Sequence, residues 1–305
     1  MSVKLLISKI TEKQNPSVIG LDPLLEYIPE NIISDAKSKY GSGLTAAAAA
    51  IFEFNKQIID CTADIVPAVK LQSAFYEMYG IQGLKALEKT AAYAKKNGLY
   101  VMYDVKRNDI GSTASAYSTA YLGKTEFFGK KTSVCKADAA TVNGYLGSDG
   151  IIPFVNDCNE YKKMIFVLVK TSNPSSSQLQ NIKSDGKPVY MYMAENVKEW
   201  GNMTKKYKGY NAVGAVVGAT FPEELKNIRK TLPNTFFLIP GYGAQGGKAE
   251  DIAFAFDKNG LGAIVNSSRG IMCAYKKSAK DFKSATREAA LNMKEDLTKI
   301  CFLKK

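Results

Sequence analysis

The segment Tyr103-Asp104-Val105-Lys106-Arg107-Asn108-Asp109-Ile110 follows an apolar run, Leu99–Tyr103, that predicts a buried strand. Side chains alternate across a strand, so Asp104 and Lys106 are expected to point the same way. Asp109 lies just beyond them, where the strand gives way to a loop. Charged groups at a strand end are costly to bury unless they pair or perform chemistry. The segment therefore indicates a charged catalytic array.

A second predicted strand supplies another charged residue, because Lys70 directly follows the apolar run Asp64–Val69. Each charged residue also has an ordinary structural explanation. Lys70 could be a surface lysine, Asp104 a helix or turn cap, and Asp109 the N-cap of a following helix. Capping explains the joint occurrence of these residues on adjacent strands poorly, and the set favours catalysis.

Eight short apolar runs alternate with segments of helical period, which is the signature of a (β/α)₈ TIM barrel. A single domain over residues 1–305 is expected, since barrels of about this length fold as one unit. A doubly wound open sheet is the runner-up, but it usually has fewer strands, and its GxGxxG fingerprint after the first strand is missing. The predicted strands are Val18–Leu21, Asp64–Val69, Leu99–Tyr103, Ala137–Val142, Met164–Val169, Val213–Val217, Phe236–Ile239 and Gly262–Val265.

The predicted helices are Ala46–Thr62, Ala74–Lys96, Glu195–Tyr207, Pro222–Leu232, Ala249–Asp257 and Ala279–Ile300. Two further segments are predicted to lie outside regular structure. The Ser- and Asn-rich stretch Thr171–Lys187 should be a long loop after the fifth strand, of a kind that is often functional or mobile. Ala36–Gly43 should be a surface insertion before the first helix.

The composition is ordinary for a globular protein, with 46% hydrophobic and 23% charged residues. There is no run of 18 or more apolar residues, so no transmembrane helix is expected. The apolar stretch within Met1–Lys9 is too short for a signal peptide, which predicts a cytoplasmic protein. The five cysteines are odd in number and contain no CxxC, which favours reduced thiols over disulfides or a zinc site. Because the chain has no histidine, lysine or carboxylate must carry any proton transfer.

The net charge of +12 admits three interpretations. It could serve nucleic-acid binding, attract a small polyanion such as a phosphorylated substrate, or reflect solvated lysines on helix faces. The basic residues are dispersed and no zinc-finger, RNP or basic-region motif is present. Solvated lysines therefore explain most of the excess, and neither a nucleic-acid nor a membrane partner is expected.

Catalytic residues of a TIM barrel lie at the carboxyl ends of its strands, and phosphate often binds the loops after the seventh and eighth. The loop Pro240–Gly247 carries four glycines, which let backbone N–H groups approach an anion. Arg269, within Asn266–Gly270, offers a bidentate fork for phosphate oxygens. Either loop alone could be an ordinary turn and Arg269 could cap a helix. The two loops together favour a phosphate site.

Three other polar residues follow predicted strands. Asp22, before Pro23, is as well explained by a turn as by a site. Gln245 in the glycine-rich loop could equally be solvated, and Ser172 lies in a polar loop where a serine is ordinary.

The chain resembles the orotidine 5′-phosphate decarboxylase family, and specifically its longer, second bacterial type, over roughly Val18 to Met272. Asp104-Val105-Lys106-Arg107-Asn108-Asp109-Ile110 matches the family's DxKxxDI signature, which is the most specific element. The segment around Lys70 resembles the family's strand-two lysine segment. Gly20-Leu21-Asp22-Pro23, Pro240–Gly247 and Ser268-Arg269-Gly270 also resemble family motifs, although Tyr242 takes a place where a smaller residue is expected.

The resemblance implies conversion of orotidine 5′-phosphate (OMP) to UMP and CO₂ in pyrimidine biosynthesis, without metal or cofactor. It implies that Asp104 destabilises the leaving carboxylate and that Lys106 stabilises and protonates the C6 carbanion. Lys70 and Asp109 would complete an alternating Lys-Asp-Lys-Asp chain. By the same analogy Asp109, Ile110 and Thr113 reach into the neighbouring subunit's site, so a homodimer is expected.

The resemblance also implies a set of substrate-binding residues. Asp22 and Thr113 would contact the ribose, Ser172 the pyrimidine ring, and Gln245 and Arg269 the phosphate.

Two other functions remain open at this point. An Mg²⁺-dependent sugar-phosphate decarboxylase or aldolase of the same barrel superfamily would share the Asp-x-Lys-x-x-Asp strand and the phosphate loops. It would, however, need a second acid where Lys70 stands. A basic RNA-binding barrel without activity is the other alternative, and the complete charged array speaks against it.

Overall fold

The computed structural model describes residues 2–242 and 250–301, and eight of its strands form a closed parallel barrel. The barrel order is β1-β12-β11-β10-β7-β6-β3-β2, and the four remaining strands form two small hairpins. The strands are β1 (Ser17–Leu21), β2 (Ala68–Gln72), β3 (Tyr100–Arg107), β4 (Thr125–Phe127), β5 (Lys130–Thr132), β6 (Ala139–Val142), β7 (Met164–Lys170), β8 (Lys183–Ser184), β9 (Lys187–Pro188), β10 (Val213–Val217), β11 (Phe237–Ile239) and β12 (Ala263–Ser267).

Helices surround the barrel and connect its strands. They are α1 (Ser2–Lys13), α2 (Glu30–Tyr40), α3 (Leu44–Thr62), α4 (Ala74–Glu77), α5 (Gly80–Lys96), α6 (Gly111–Tyr121), α7 (Ser148–Tyr161), α8 (Val189–Asn202), α9 (Pro222–Thr231), α10 (Arg269–Met272) and α11 (Phe282–Cys301). Short 3₁₀ turns span Leu25–Tyr27, Pro174–Gln178, Glu250–Ala255 and Ala274–Lys277. The predicted TIM-barrel fold is therefore confirmed.

The core has two layers because a buried parallel strand presents apolar side chains on both faces. The barrel interior is filled by residues such as Tyr100, Met102, Phe166 and Phe236, and the outer layer packs the other strand faces against the helices. The N-terminal helix α1 contributes its apolar face, with Val3, Leu6, Ile7 and Ile10, to the interior cluster.

Helix α1 covers the amino end of the barrel. The Ser2 hydroxyl is 2.6 Å from the hydroxyl of Tyr100, the first residue of β3, and donates to the Asp138 carbonyl just before β6. This helix is not among the sequence-predicted elements. Since it closes the amino end, the opposite mouth, at the carboxyl ends of the strands, is left for ligand binding.

The eight predicted strands are all present, but the bounds of two differ markedly. The second begins at Ala68 rather than Asp64, because Ile65 and Val66 donate to the Thr62 carbonyl and so extend the turn that ends α3. Pro67, which follows, has no N–H and cannot donate a hydrogen bond to a neighbouring strand. The third strand continues past Tyr103 to Arg107, so Asp104 and Lys106 lie within the strand, before the loop.

Several predictions for the segments between the strands were wrong in extent or kind. Ala36–Gly43 is not an insertion, because most of it belongs to α2, which buries Ile32 and Ala36. The segment Ala74–Lys96 is divided into α4 and α5 by Gly80, whose φ is +59°. The helix expected over Glu195–Tyr207 is α8, which starts at Val189 and ends at Asn202.

Two segments near the carboxyl end of the barrel also depart from expectation. Thr171–Lys187 is not one irregular loop, since it contains the 3₁₀ turn Pro174–Gln178 and strand β8 of a short hairpin. The described part of Ala249–Asp257 forms a 3₁₀ turn, Glu250–Ala255, rather than an α-helix. No helix within the described residues is long and apolar enough to cross a membrane. The five cysteines are free.

Candidate active site

A cavity of about 550 Å³ opens at the carboxyl ends of the barrel strands, opposite α1. Residues from the ends of β1, β2, β3, β6, β7, β10, β11 and β12 or the loops after them line it. Six of the nine sequence-predicted site residues are among them: Asp22, Lys70, Asp104, Lys106, Ser172 and Arg269. The barrel thus brings together residues that lie up to 247 positions apart in the chain, from Asp22 to Arg269.

The centre of the cavity is a buried carboxylate between two ammonium groups. One Asp104 oxygen lies 2.9 Å from Lys70 Nζ, and the other lies 2.5 Å from Lys106 Nζ. Lys70 Nζ is also 3.5 Å from an Asp22 oxygen. The Lys70 side chain is buried, so it is not a surface lysine, whereas Lys106 is 43% exposed and faces the open cavity. An ammonium group held this way can reach a bound ligand.

Strand register accounts for the central pair. Lys70 and Gln72 lie two residues apart on β2, so they point the same way, and Gln72 pairs in register with Asp104 on β3. Gln72 Nε2 donates to the same Asp104 oxygen as Lys70, at 3.0 Å. Gln72 was not among the sequence-predicted site residues. Its amide fills a second acceptor position on the carboxylate.

The charges in this group stabilise one another. Burial by itself would raise the pKa of Asp104, but Lys70 and Lys106 outweigh it and hold that pKa well below its ordinary value. Burial would lower the pKa of Lys70, but Asp104 and Asp22 outweigh it and raise that pKa above its ordinary value. Both groups therefore stay ionised at neutral pH, and the cavity holds a fixed negative charge flanked by positive ones.

Thr141, on β6, orients the end of β3 and was missed by sequence reasoning. Its hydroxyl accepts the N–H groups of Val105 and Lys106, each at 3.0 Å, and donates to Asp104 at 2.8 Å. The register of β3 against β6 shifts here. Lys106 has a φ of +47°, a backbone conformation that is uncommon for residues other than glycine. One hydroxyl therefore holds both the irregular backbone and the carboxylate. A threonine within the apolar run Ala137–Val142 was the available signal.

Residues at the ends of β11 and β12 and just after them also line the cavity. Arg269 is the first residue of α10 and lines the cavity, and no hydrogen bond or ion pair to its guanidinium occurs within residues 2–242 and 250–301. Gly20 on β1 permits the close approach of this loop, since an added Cβ would lie 2.0 Å from Ser268 Oγ. Gln245 lies outside the described residues.

Two predicted residues stand apart from the cavity in the single chain. Asp109 is half-buried, does not line the cavity, and accepts the N–H of Ile110 at 2.9 Å. It is not the N-cap of α6, because Ile110 holds that position. Thr113 is exposed on the first turn of α6. One chain therefore presents Lys-Asp-Lys, and the fourth charge of the expected array points elsewhere.

A parallel β/α barrel with an ionised Lys-Asp-Lys group at its mouth, and with Arg269 lining the same cavity, defines an enzyme of the TIM-barrel class. Comparison with known sequences specifies the family. Residues 30–282 match the Orotidine 5′-phosphate decarboxylase / HUMPS family, and the chain belongs to that family.

Individual relatives agree with this assignment. The chain is 46% identical over 293 residues to orotidine 5′-phosphate decarboxylase of Caldicellulosiruptor bescii, covering 96% of each chain. It is 44% identical over 286 residues to the protein of the same name from Rhodopirellula baltica, covering 92% of this chain and 93% of that one. The solved structure of Leishmania donovani OMP decarboxylase superposes with a TM-score of 0.76 at 29% identity, covering 99% and 98%.

The role of Thr141 leads to a stability prediction. Thr141→Val keeps the shape of the side chain but leaves two buried N–H groups without an acceptor. At about 1–3 kcal/mol for each donor left unsatisfied, the free energy of unfolding should fall by about 2–6 kcal/mol. Thr141→Ser keeps the hydroxyl and should stay within about 1 kcal/mol of the wild type. Urea unfolding measures both variants, and equal stability of the two would contradict this role.

Proposed function

We propose that the protein decarboxylates OMP to UMP and CO₂ by electrostatic stabilisation without metal or cofactor, as a cytoplasmic homodimer with one barrel domain over residues 1–305. The observation that carries the proposal is the ionised Asp104 carboxylate held between Lys70 and Lys106 at the floor of the cavity. The family and the naming of its full-length relatives support the same activity.

The chemistry follows from the positions of the charges. The substrate carboxylate lies against Asp104, and the repulsion between two negative charges is relieved when neutral CO₂ leaves. The C6–carboxyl bond breaks, its electron pair stays on C6, and the Lys106 ammonium stabilises that charge. Lys106 then transfers a proton from Nζ to C6, which leaves the amine to recover a proton from solvent. Lys70 holds Asp104 ionised and in place throughout. Preorganised charges of this kind are usually the largest contribution to catalysis.

Recognition uses the walls of the cavity. Arg269 and Gln245 hold the phosphate, Ser172 contacts the pyrimidine ring, and Asp22 contacts the ribose. The position of Arg269 at the cavity wall, without a competing partner in the described part of the chain, supports its role. Binding energy from the phosphate, remote from C6, can then drive closure of the site around the reacting group.

A second subunit completes the site in this proposal by contributing Asp109 and Thr113. Two exposed apolar side chains lie close to Asp109, since Ile110, the next residue, is 52% exposed and Leu146 is 45% exposed. Asp109 and Leu146 are both close to Gly150, which places the Asp109 loop against the start of α7. Exposed apolar side chains beside this carboxylate favour a protein contact at this edge of the barrel.

The charged side chains of the cavity argue against the Mg²⁺-dependent alternative. Lys70 Nζ lies between Asp22 and Asp104 and supplies the cation that these two carboxylates face. No group of three or more His, Cys, Asp or Glu side chains suited to a metal ion occurs among the described residues. The named relatives favour the decarboxylase over an RNA-binding barrel as well.

A direct assay tests the activity. Purified protein mixed with OMP should cause the absorbance of the substrate to fall, with UMP and CO₂ as products in equal amounts. The rate should be the same after dialysis against EDTA, because lysine, aspartate and arginine side chains supply all the charges that the proposal uses. Loss of activity in EDTA that returns with Mg²⁺ would favour the metal-dependent alternative. Failure to consume OMP at all would refute the proposed function.

Lys106→Ala should abolish turnover while the fold remains intact. The chain has no histidine, and the structure gives Lys106 an ammonium directed into the cavity, so the variant lacks the proton donor. Lys206→Ala, which removes an exposed lysine remote from the cavity lining, is the matched control and should retain full activity. Circular dichroism verifies the fold of both. If Lys106→Ala kept the wild-type kcat, Lys106 would not be the proton donor.

Subunit mixing tests the contribution of Asp109 to a neighbouring site. Lys106→Ala and Asp109→Ala should each be inactive, and a mixed dimer should contain one site with both substitutions and one with neither. Random exchange makes about half the dimers mixed, so about a quarter of wild-type activity should return. If native mass spectrometry shows exchange but activity does not recover, Asp109 acts in its own subunit.

A further inference from the structure

Lys170 is a completely buried lysine that the proposed chemistry does not use. It is the last residue of β7 and immediately precedes Thr171 and Ser172, which line the cavity. A buried ammonium is costly unless its charge and its three N–H groups are satisfied. What satisfies Lys170 therefore shows what the residue holds together.

A strand irregularity explains why Lys170 does not face the cavity. Leu168 pairs with Val216 and lines the cavity, and strict alternation would place Lys170 on the same side. The register shifts between these positions, so that Lys170 pairs with Val217. This bulge turns Lys170 away from the cavity, under the segment that follows β7.

The ammonium group of Lys170 connects three elements. It donates to Ser176 Oγ at 3.0 Å and to Asn181 Oδ1 at 2.9 Å, which lie in the segment after β7. It also lies 3.6 Å from Glu224 Oε2, in the first turn of α9, and 4.5 Å from the centre of the Phe221 ring. That Glu224 oxygen is buried and has no hydrogen bond within the described residues, so Lys170 is the group that balances its charge.

The segment held by Lys170 forms a closed loop that ends at the cavity wall. Gln180 accepts the N–H of Thr171 at 2.9 Å and donates to the Thr171 hydroxyl at 2.7 Å. Ser172 packs against Gly218, where an added Cβ would lie 2.9 Å from Ser172 Cα. Gly218 in turn donates to the Lys170 carbonyl at 2.8 Å. Displacing Lys170 would thus disturb both ends of the loop and the backbone beneath Ser172.

We propose that Lys170 is a positioning residue, paired with Glu224, that holds Ser172 at the cavity wall and so sets recognition of the pyrimidine ring. This inference rests on the proposed function, since Ser172 acts on the ring only if the substrate is OMP. Lys170 touches no substrate. It acts by tying the loop after β7 to the start of α9, so that the ring contact is preorganised before the substrate arrives.

Removing the lysine alone would leave the half-buried Glu224 carboxylate unpaired, and Lys170→Met can fail to fold for that reason. The double variant Lys170→Met with Glu224→Gln removes both charges together. It is therefore the variant to compare with the wild type. The matched control is Lys163→Met. Lys163 precedes β7 at the amino end of the barrel and donates to the Ala137 carbonyl. That control should affect kcat/KM for OMP by less than about threefold.

The double variant should lower kcat/KM for OMP by about 10- to 100-fold, the effect expected for a contact misplaced by about an ångström. In a Ser172→Ala background the same pair of substitutions should lower kcat/KM by no more than about threefold, because two residues acting through one contact are non-additive. An equal factor in both backgrounds, or wild-type kcat/KM in the double variant, would overturn the proposal.

A substrate-free readout separates this inference from the proposed function. Hydrogen–deuterium exchange at residues 171–182 should be at least about tenfold faster in the double variant than in the wild type or in Lys163→Met. Unchanged exchange would refute the positioning role even if the protein does not act on OMP. Faster exchange in a protein that fails to consume OMP would instead refute only the proposed function and the ring contact.

Discussion

The Asp104 carboxylate, shared between Lys70 and Lys106, is the interaction on which the rest of the site depends. A carboxylate buried this deeply would normally take up a proton, and two opposite charges within 3 Å prevent it. The same ion pairs keep a positive charge on Lys70 despite its burial. The remaining acceptor positions of Asp104 are used by Gln72 and Thr141. Removing any one of these partners would leave the others wrongly charged or unsatisfied, so the group behaves as one unit.

The two ends of the barrel have different roles, and so do the two sides of the cavity. Helix α1 fills the amino end, and the cavity opens at the carboxyl end, where β2, β3 and β6 hold the charged group. The opposite wall includes residues that follow β7, β11 and β12, and loop residues generally have more conformational freedom than strand residues. Lys170 and Glu224 limit that freedom on one loop by fixing it to α9. A rigid floor for chemistry thus faces a wall adapted to recognition.

The sequence predicted the barrel, its eight strands and six of the residues that line the cavity, because apolar runs mark parallel strands and polar residues at their carboxyl ends must converge. It could not predict Thr141 or Lys170, since the roles of both depend on bulges that alternation does not show. It also missed α1, because the apolar face of that helix is recognisable only against the open end of a barrel. Asp109 was predicted correctly as lying off the strand, but a sequence cannot show which chain's cavity it serves.

Substrate affinity tests most directly whether Asp104 repels the leaving carboxylate. Lys106→Ala provides an inactive background in which the dissociation constants of OMP and UMP can be measured by calorimetry without turnover. Two unit charges about 4 Å apart at an effective dielectric constant of about 20 repel by about 4 kcal/mol. Adding Asp104→Asn should therefore tighten OMP relative to UMP by at least about tenfold. An unchanged or weaker OMP-to-UMP preference would contradict the account, because Asp104 would then exert no repulsion on the group that leaves.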